Sequence, residues 1–302
     1  MRLLFSKALL DHCQDPDFVF LTGDLGFMAL EGLRDGAKDR FINAGVAEQN
    51  MVSVAAGLAR SGLKPWVYSI APFVYARPFE QIRNDVCLHG LPVFLVGNGG
   101  GYAYGVMGAT HHALEDYGVL LGLSRMRVYV PAFGEDVAAA VERMLQQAGP
   151  AYLRLGRDEK PKDLSLPTYA PWRRLLVGQG ATLLMVGPLA GSICAASMTL
   201  PESLRPCAWT LSEMPFVPSE IPADFLADIR RSQHLVVIEE HVKQGSAGAQ
   251  LAHALSCLGD VPRRFTHRFA LGYPSGYYGS QNYHRKESGL DANSILELLK
   301  ER

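Results

Sequence analysis

The chain is predicted to be an α/β protein built as two consecutive parallel-sheet domains, and three features of its 302 residues predict it. Short apolar runs alternate with longer helical patterns from end to end, and strand–helix alternation with short connections implies a parallel sheet covered by helices on both faces. The alternation lapses once, in a stretch holding Pro161, Pro167 and Pro171, and then resumes. The length also fits two domains at roughly 150 residues each. The expected division is a first domain at 1–160, a linker at 161–177 and a second, smaller domain at 178–302.

The elements follow in order. Met1–Leu10 reads as an amphipathic first helix: Asp11, His12, Gln14, Asp15 and Asp17 follow at once, with no small-residue cleavage site of the kind that ends a signal peptide. Strands are expected at Phe18–Leu21, in the apolar run before Gly45, and at Trp66–Ile70, Val93–Val96, Arg127–Val130 and Tyr152–Leu155. Helices are expected at Glu48–Arg60, Arg77–Leu88 and Glu135–Gln147, the last with Glu135 and Asp136 in its first turn. In the second half the strands are Thr182–Val186, Cys207–Leu211 and Leu235–Glu239. The helices there are Ala190–Thr199, Ala223–Arg231, Ala247–Cys257 and Ser294–Lys300. No solenoid-type repeat is present.

Composition excludes several function classes. Hydrophobic residues make up 48% and charged residues 20%, ordinary for a globular protein, and the net charge of −1 offers no basic field to nucleic acid or an anionic membrane. No apolar run approaches the ~20 residues of a membrane span. The five cysteines (Cys13, Cys87, Cys194, Cys207, Cys257) are scattered and never paired as Cys-x-x-Cys. That argues for a reducing cytoplasm and against a zinc site or a disulfide framework.

Four places carry chemistry-bearing residues. Glu48 sits where a helix begins, after Gly45 and before Val52, Val54, Ala55, Leu58 and Ala59, small apolar residues at helical spacing. A carboxylate in so packed a place keeps its charge only with a partner; spacing alone favours the plainer reading, a helix-dipole residue contributing up to ~1 kcal/mol. Ile70, Phe73, Tyr75 and Phe79 lie at the carboxyl end of the Trp66–Ile70 strand, where parallel sheets bind ligands. They read either as a wall for a flat heterocycle or as plain core. A glycine-rich loop, Gly97–Gly108, leaves the next strand and ends in Ala109-Thr110-His111-His112-Ala113-Leu114-Glu115-Asp116. It fits neither Gly-x-Gly-x-x-Gly nor a Walker pattern. The histidines have no metal-ligand spacing, and an adjacent pair has one ring buried and one exposed. Arg157 ends the first domain in Tyr152-Leu153-Arg154-Leu155-Gly156-Arg157, as an anion fork or an interdomain salt bridge.

Taken together, the wording of these segments resembles the transketolase family. Gly45-Val46-Ala47-Glu48-Gln49 is similar to the family's Gly-Val-(Arg/Ala)-Glu-(His/Gln) segment, whose glutamate touches thiamine diphosphate. Ser69–Arg83 is similar to the run in which a phenylalanine stacks on the aminopyrimidine and an Arg-x-(Phe/Tyr)-(Asp/Glu)-Gln-Ile-Arg tail follows. The resemblance implies Phe73 as the stacker, with Ile70, Tyr75 and Phe79 around the cofactor. Gly105-Val106-Met107-Gly108-Ala109-Thr110-His111 matches Gly-x-Asp-Gly-x-(Thr/Ser)-(His/Gln) except at Met107, which replaces an aspartate that hydrogen-bonds a substrate hydroxyl. His111 falls on the histidine facing the substrate's reacting oxygen, and Arg157 on the arginine holding a substrate phosphate. Val236–Gly248 is similar to the family's C-terminal domain.

The resemblance spans the chain but covers only the pyrimidine-binding and C-terminal domains of a complete transketolase. The family's diphosphate signature, Gly-Asp-Gly followed at a distance by Asn, is imitated by Gly23-Asp24-Leu25 with Asn43, without the last glycine and with too short a gap. The implied protein is the C-terminal subunit of a split transketolase, passing a two-carbon ketol unit from a ketose to an aldehyde. In it Glu48 hydrogen-bonds ring nitrogen N1′ and so promotes loss of the thiazolium C2 proton. Magnesium (or calcium) and the diphosphate are held mainly by an N-terminal partner subunit, in an α2β2 heterotetramer acting on small sugars or sugar phosphates. Alternatives are the β-subunit of a 2-oxo-acid dehydrogenase, a pyruvate-using acyloin or 1-deoxyxylulose-phosphate-type synthase, and a non-catalytic scaffold subunit. The Thr110–Asp116 wording favours transketolase.

Overall fold

The computed structural model describes residues 1–301. Twelve strands form two sheets: β1 Phe18–Thr22, β2 Phe41–Asn43, β3 Lys64–Ile70, β4 Phe94–Asn98, β5 Arg127–Tyr129, β6 Ala151–Leu155, β7 Trp172–Leu176, β8 Thr182–Val186, β9 Cys207–Leu211, β10 Glu213–Met214, β11 His234–Glu239 and β12 Arg264–Arg268. The first sheet has seven strands in the order β10-β5-β6-β4-β3-β1-β2, and the second has five in the order β12-β11-β8-β9-β7. All pairings are parallel except β10 with β5 and β7 with β9, so the sheets are mixed at their edges.

The central strands are buried along their whole length because both faces are covered, which is why they read as unbroken apolar runs. In β1, Val19 and Leu21 join Val52 and Ala55 of helix Glu48–Arg60 on one face. Phe18 and Phe20 join Phe5 and Leu9 of helix Arg2–Leu10 and Val141 of helix Asp136–Leu145 on the other. The core of the first face continues into the second sheet through Leu184, Trp209 and Val237.

The expected linker, 161–177, ends differently. Trp172–Leu176 is an edge strand antiparallel to β9, with Trp172 packed on Phe216 and Phe225 at 5.1 Å. Its two arginines hid it: Arg173 is buried with Asp136 of the first unit accepting two hydrogen bonds from it, at 2.9 and 2.7 Å, and the Pro167 carbonyl a third at 3.1 Å. The short strand β10 adds a second stitch, pairing Glu213 with Tyr129 and Met214 with Val128 of β5. The expected helix Arg77–Leu88 is also reshaped. Pro78 interrupts it, leaving Phe79–Gln81 followed by a wider π-helical turn, Ile82–Cys87.

Candidate active site

Strands β1, β2, β3, β4 and β6 run parallel, so their carboxyl ends share one edge. The chain steps from β1 to β2 on one side and then crosses to β3 on the other, which makes this edge a topological switch point. Past β2 the Asn43 side chain accepts from the backbone N–H groups of Asp24 and Gly45, at 2.9 and 3.0 Å. It also donates to the Asp24 carboxylate at 3.1 Å. The two polar residues of the imitation diphosphate motif therefore hold each other and shape the turn at Gly45 (φ +69°). That turn delivers Glu48 as the first residue of its helix.

Glu48 is only 4% exposed, and its Oε1 accepts a hydrogen bond from Arg77 at 2.8 Å. The same guanidinium lies over the Phe73 ring, 3.8 Å from its centroid. Phe73 meets the ring of His111 at 5.3 Å and 64°, and His111 in turn lies 5.8 Å from Tyr104. The Thr110 hydroxyl stands 2.9 Å from His111 Nδ1. Glu48, Phe73 and His111 thus belong to one cluster, beside a cleft of about 460 Å³ lined by Val46, Ala47, Glu48, Gln49, Asn50 and Arg77.

Tyr75 does not share this face. Phe73 and Tyr75 sit on helix Ala71–Tyr75, and two residues at 100° each turn Tyr75 to the opposite side. There it is 7% exposed within the core, and its hydroxyl donates to Glu115. Burial, with Asp116 and Glu115 nearby, drives the phenol far above its usual range. Ile70 ends β3 and Phe79 opens the next helical turn; both are half-buried, and neither joins the Phe73–His111 contact. Met107 is 52% exposed on the 3₁₀ turn Gly105–Thr110.

Arg157, just past β6, is exposed and lines a second cleft, of about 470 Å³, together with Arg2, Asn98, Gly99, Tyr104 and Asp158. The Asn98 side chain donates to the Tyr104 hydroxyl at 2.8 Å, so the ring that flanks His111 also walls this cleft. Gly99 (φ +77°) is required there, since a Cβ would stand 2.1 Å from the Tyr104 ring. Neither Arg2 nor Arg157 is paired with a carboxylate among the described residues. The cleft therefore carries two guanidinium groups without an ion pair of their own beside one carboxylate, Asp158, a net positive lining.

Sequence reasoning missed Arg77 and Arg2. Arg77 carried a weak signal, because it lies four residues after Phe73, though in the turn that follows helix Ala71–Tyr75 and not within it. Arg2 carried none, since only the fold brings the first helix beside the end of β6. The Arg77 guanidinium also tests what the site accepts. It is flat and nitrogen-bearing, it donates to Glu48, and it stacks on Phe73. A planar aminopyrimidine that presents an N–H to the carboxylate meets the same two partners.

Comparison with known proteins bears on the same segments. Residues 1–162 match the family described as transketolase, pyrimidine binding domain. The chain is 30% identical over 267 residues to a subunit of the apulose-4-phosphate transketolase of Actinobacillus succinogenes, covering 86% of this chain and 84% of that one. It is 28% identical over 315 residues to the 6-deoxy-6-sulfo-D-fructose transketolase subunit SqwH of a Clostridium species, covering 100% and 94%. Among solved structures, a split gene transketolase described as an inactive β4 tetramer superposes with a TM-score of 0.80 at 27% identity, covering 99% of this chain and 96% of that one. With the family matched over the whole first domain, and transketolase subunits matched nearly end to end, the chain belongs to the transketolase family.

Proposed function

We propose that this chain is the pyrimidine-binding subunit of a two-chain transketolase that moves a two-carbon ketol unit from a ketose to an aldehyde. Thiamine diphosphate is its cofactor, and when bound it supplies a thiazolium C2 that exchanges its proton and adds to carbonyls. The observation that carries the reading is the buried Glu48 carboxylate engaged by a planar cation over Phe73. Glu48 would hold a proton at ring nitrogen N1′, and Phe73 would fix the plane of the pyrimidine. His111, edge-on to Phe73, would hydrogen-bond the reacting oxygen. Arg2 and Arg157 would grip an anionic substrate end, phosphate or the sulfo group named for the Clostridium relative.

The diphosphate and its magnesium or calcium ion are assigned to a partner, an N-terminal diphosphate-binding subunit, in an α2β2 assembly. Asp24 and Asn43, the nearest imitation of that motif, are engaged with each other, and the similar split-gene β4 tetramer is described as inactive. A cytoplasmic location is supported by five cysteines that form no disulfide. No helix among the described residues is long and apolar enough to cross a membrane.

The test is to mix the purified chain with the diphosphate-binding subunit from the same genome, thiamine diphosphate and magnesium. Ketose phosphates, sulfo sugars and pyruvate are offered as donors. Ketol transfer is expected from the pair and not from the chain alone, and Glu48→Gln is expected to lower it by ~10²–10⁴-fold with unchanged melting. Turnover by the isolated chain, or full activity of Glu48→Gln, would defeat the reading; a pyruvate-only activity would move it to the synthase class. The synthase class is represented by 1-deoxy-D-xylulose-5-phosphate synthase 2 of Geobacter sulfurreducens, 34% identical over 85% of this chain and 41% of that protein.

A further inference from the structure

His111 and His112 are neighbours in sequence and face opposite ways. His111 stands on the open edge against Phe73, whereas His112 is 3% exposed and turned into the second domain. There its ring meets Tyr102 edge-on at 5.3 Å and His284 edge-on at 5.1 Å, and stacks on Tyr273 at 5.7 Å. His112 Nε2 lies 2.8 Å from the Gly105 carbonyl, which can only accept, so Nε2 carries the proton. Nδ1 then accepts from the Tyr273 hydroxyl, also at 2.8 Å. Burial lowers the pKa of His112, which favours the neutral ring this pattern needs.

The bond to Gly105 closes the turn Gly105–Thr110 at its base, because its two ends are the residue that starts the turn and the residue after His111. Stacking alone would leave the ring free to rotate in its plane; two hydrogen bonds at opposite corners fix it. The second domain reinforces the hold at two further points. The Tyr102 hydroxyl exchanges two hydrogen bonds with the Gly272 backbone, at 2.9 and 3.0 Å. The Tyr278 ring lies against Gly108, where a Cβ would stand 2.8 Å from it.

We propose that Tyr273 and His112 are positioning residues for His111: the segment following β12 fixes, through the Tyr273 hydroxyl and the His112 ring, the turn that presents Met107 and His111 to substrate. The second domain, on this account, sets catalytic geometry. The proposal rests on the ketol-transfer reading. A displacement of about 1 Å at a reacting group costs up to ~100-fold in rate.

Tyr273→Phe keeps the ring and deletes only the hydrogen bond. In the assembled pair of subunits its kcat is expected to fall by about 10-fold or more, with KM for thiamine diphosphate unchanged. In the full chain, backbone amides of residues 105–112 are expected to exchange faster while those of β3 and β4 keep their wild-type rates. His112→Gln retains a donor for Gly105 and is expected to keep more activity than His112→Phe, which keeps the bulk and loses both bonds. Wild-type kcat together with wild-type exchange in Tyr273→Phe overturns the proposal. So does a uniform rise in exchange across all strands, which would make the contact one of general stability. If the wild-type pair transfers no ketol unit, the functional reading fails, while the exchange experiment still decides whether Tyr273 orders the turn.

Discussion

At the scale of single residues, the site combines a paired charge, Glu48 with Arg77, and two arginines that form no ion pair among the described residues. Arg2 and Arg157 line one cleft with a single carboxylate, Asp158, and form no ion pair among the described residues, so an anionic substrate end would balance the remaining positive charge. Hydrogen bonds to charged groups contribute ~1.5–3 kcal/mol, or roughly 10- to 150-fold in affinity. Arg157→Met and Arg2→Met are each expected to raise KM for a phosphorylated aldehyde at least tenfold while leaving an unphosphorylated analogue unaffected. Because both would touch one group, the double variant should lose less than the product of the two; steady-state kinetics on the matched pair of acceptors checks this. Met107 poses a subtler case. A thioether cannot take the hydrogen bond of the family's aspartate, yet Met107 is 52% exposed, so a hydroxyl facing it keeps some water. Met107→Asp is therefore expected to raise kcat/KM for an ordinary ketose phosphate relative to a deoxygenated donor by about fivefold, the low end of the range for an unpaired polar group. A ratio that does not move would leave Met107 as surface packing.

At the scale of elements, the turn Gly105–Thr110 is the most constrained piece of backbone at the site. Gly108 has φ +72° and ψ −161°, a region essentially reserved for glycine, and the Tyr278 ring closes the space its side chain would fill. Gly108→Ala is expected to lower kcat sharply, and adding Tyr278→Ala to relieve the clash should restore only part, because the backbone strain of ~1–3 kcal/mol remains. Full recovery in the double variant would show that only the clash matters. How far such elements can be read from sequence depends on where their stability originates. Strands β1, β3, β4, β6, β8, β9 and β11 announce themselves because burial on both faces writes an apolar run into the local sequence. Strand β7 does not, since Arg173 is buried by Asp136, a partner 37 residues away. Strand β12, Arg-Phe-Thr-His-Arg, is a half-buried edge with almost no local signal. At the site, the local wording around Glu48, Phe73 and His111 marked all three, and the fold gathers them. Tyr75 misled because five aromatic-rich residues show no period until they are known to be helical. The adjacent histidines predicted one buried ring without saying which, and the hydrogen-bond partner of the buried His112, Tyr273, lies 161 residues on.

At the scale of the whole molecule, the two domains meet through a buried polar seam that holds titratable groups. Asp116 pairs with Arg154 at 2.9 Å, and Arg154 donates to the Ala113 and Glu240 carbonyls at 2.8 Å. Above it His241, fully buried, stacks on Tyr117 at 3.8 Å. Its Nε2 accepts from the Gly118 backbone N–H at 3.0 Å while Nδ1 donates to the Val242 carbonyl at 2.7 Å. A proton on Nε2 would point at that N–H, so the fold holds the neutral ring. Asp116 and Glu239 favour the charged form and Arg154 opposes it, but burial prevails and the pKa of His241 is lowered, as it is for His112 and His284. The sign follows from linkage: below the ordinary value of 6.5 the unfolded chain binds protons that the native seam refuses. Stability from these histidines is thus complete above about pH 6.5 and declines as the pH falls towards 5. His12 acts in the opposite sense. Burial works against its charge, yet Glu142 and Asp15 raise its pKa, so its contribution is present at low pH and fades as the pH rises. His234, half-buried beside Arg264, is lowered as well, so four rings with lowered values against one with a raised value predict net acid destabilisation. Denaturant unfolding at half-unit steps from pH 5 to 8 should show stability rising with pH through 5–6.5, at up to ~1.4 kcal/mol per pH unit for each proton taken up on unfolding. His241→Gln preserves an acceptor for Gly118 and cannot titrate, so it should reduce that slope by about one proton's worth. An unchanged slope in His241→Gln would mean that the acid sensitivity arises elsewhere than at the domain seam.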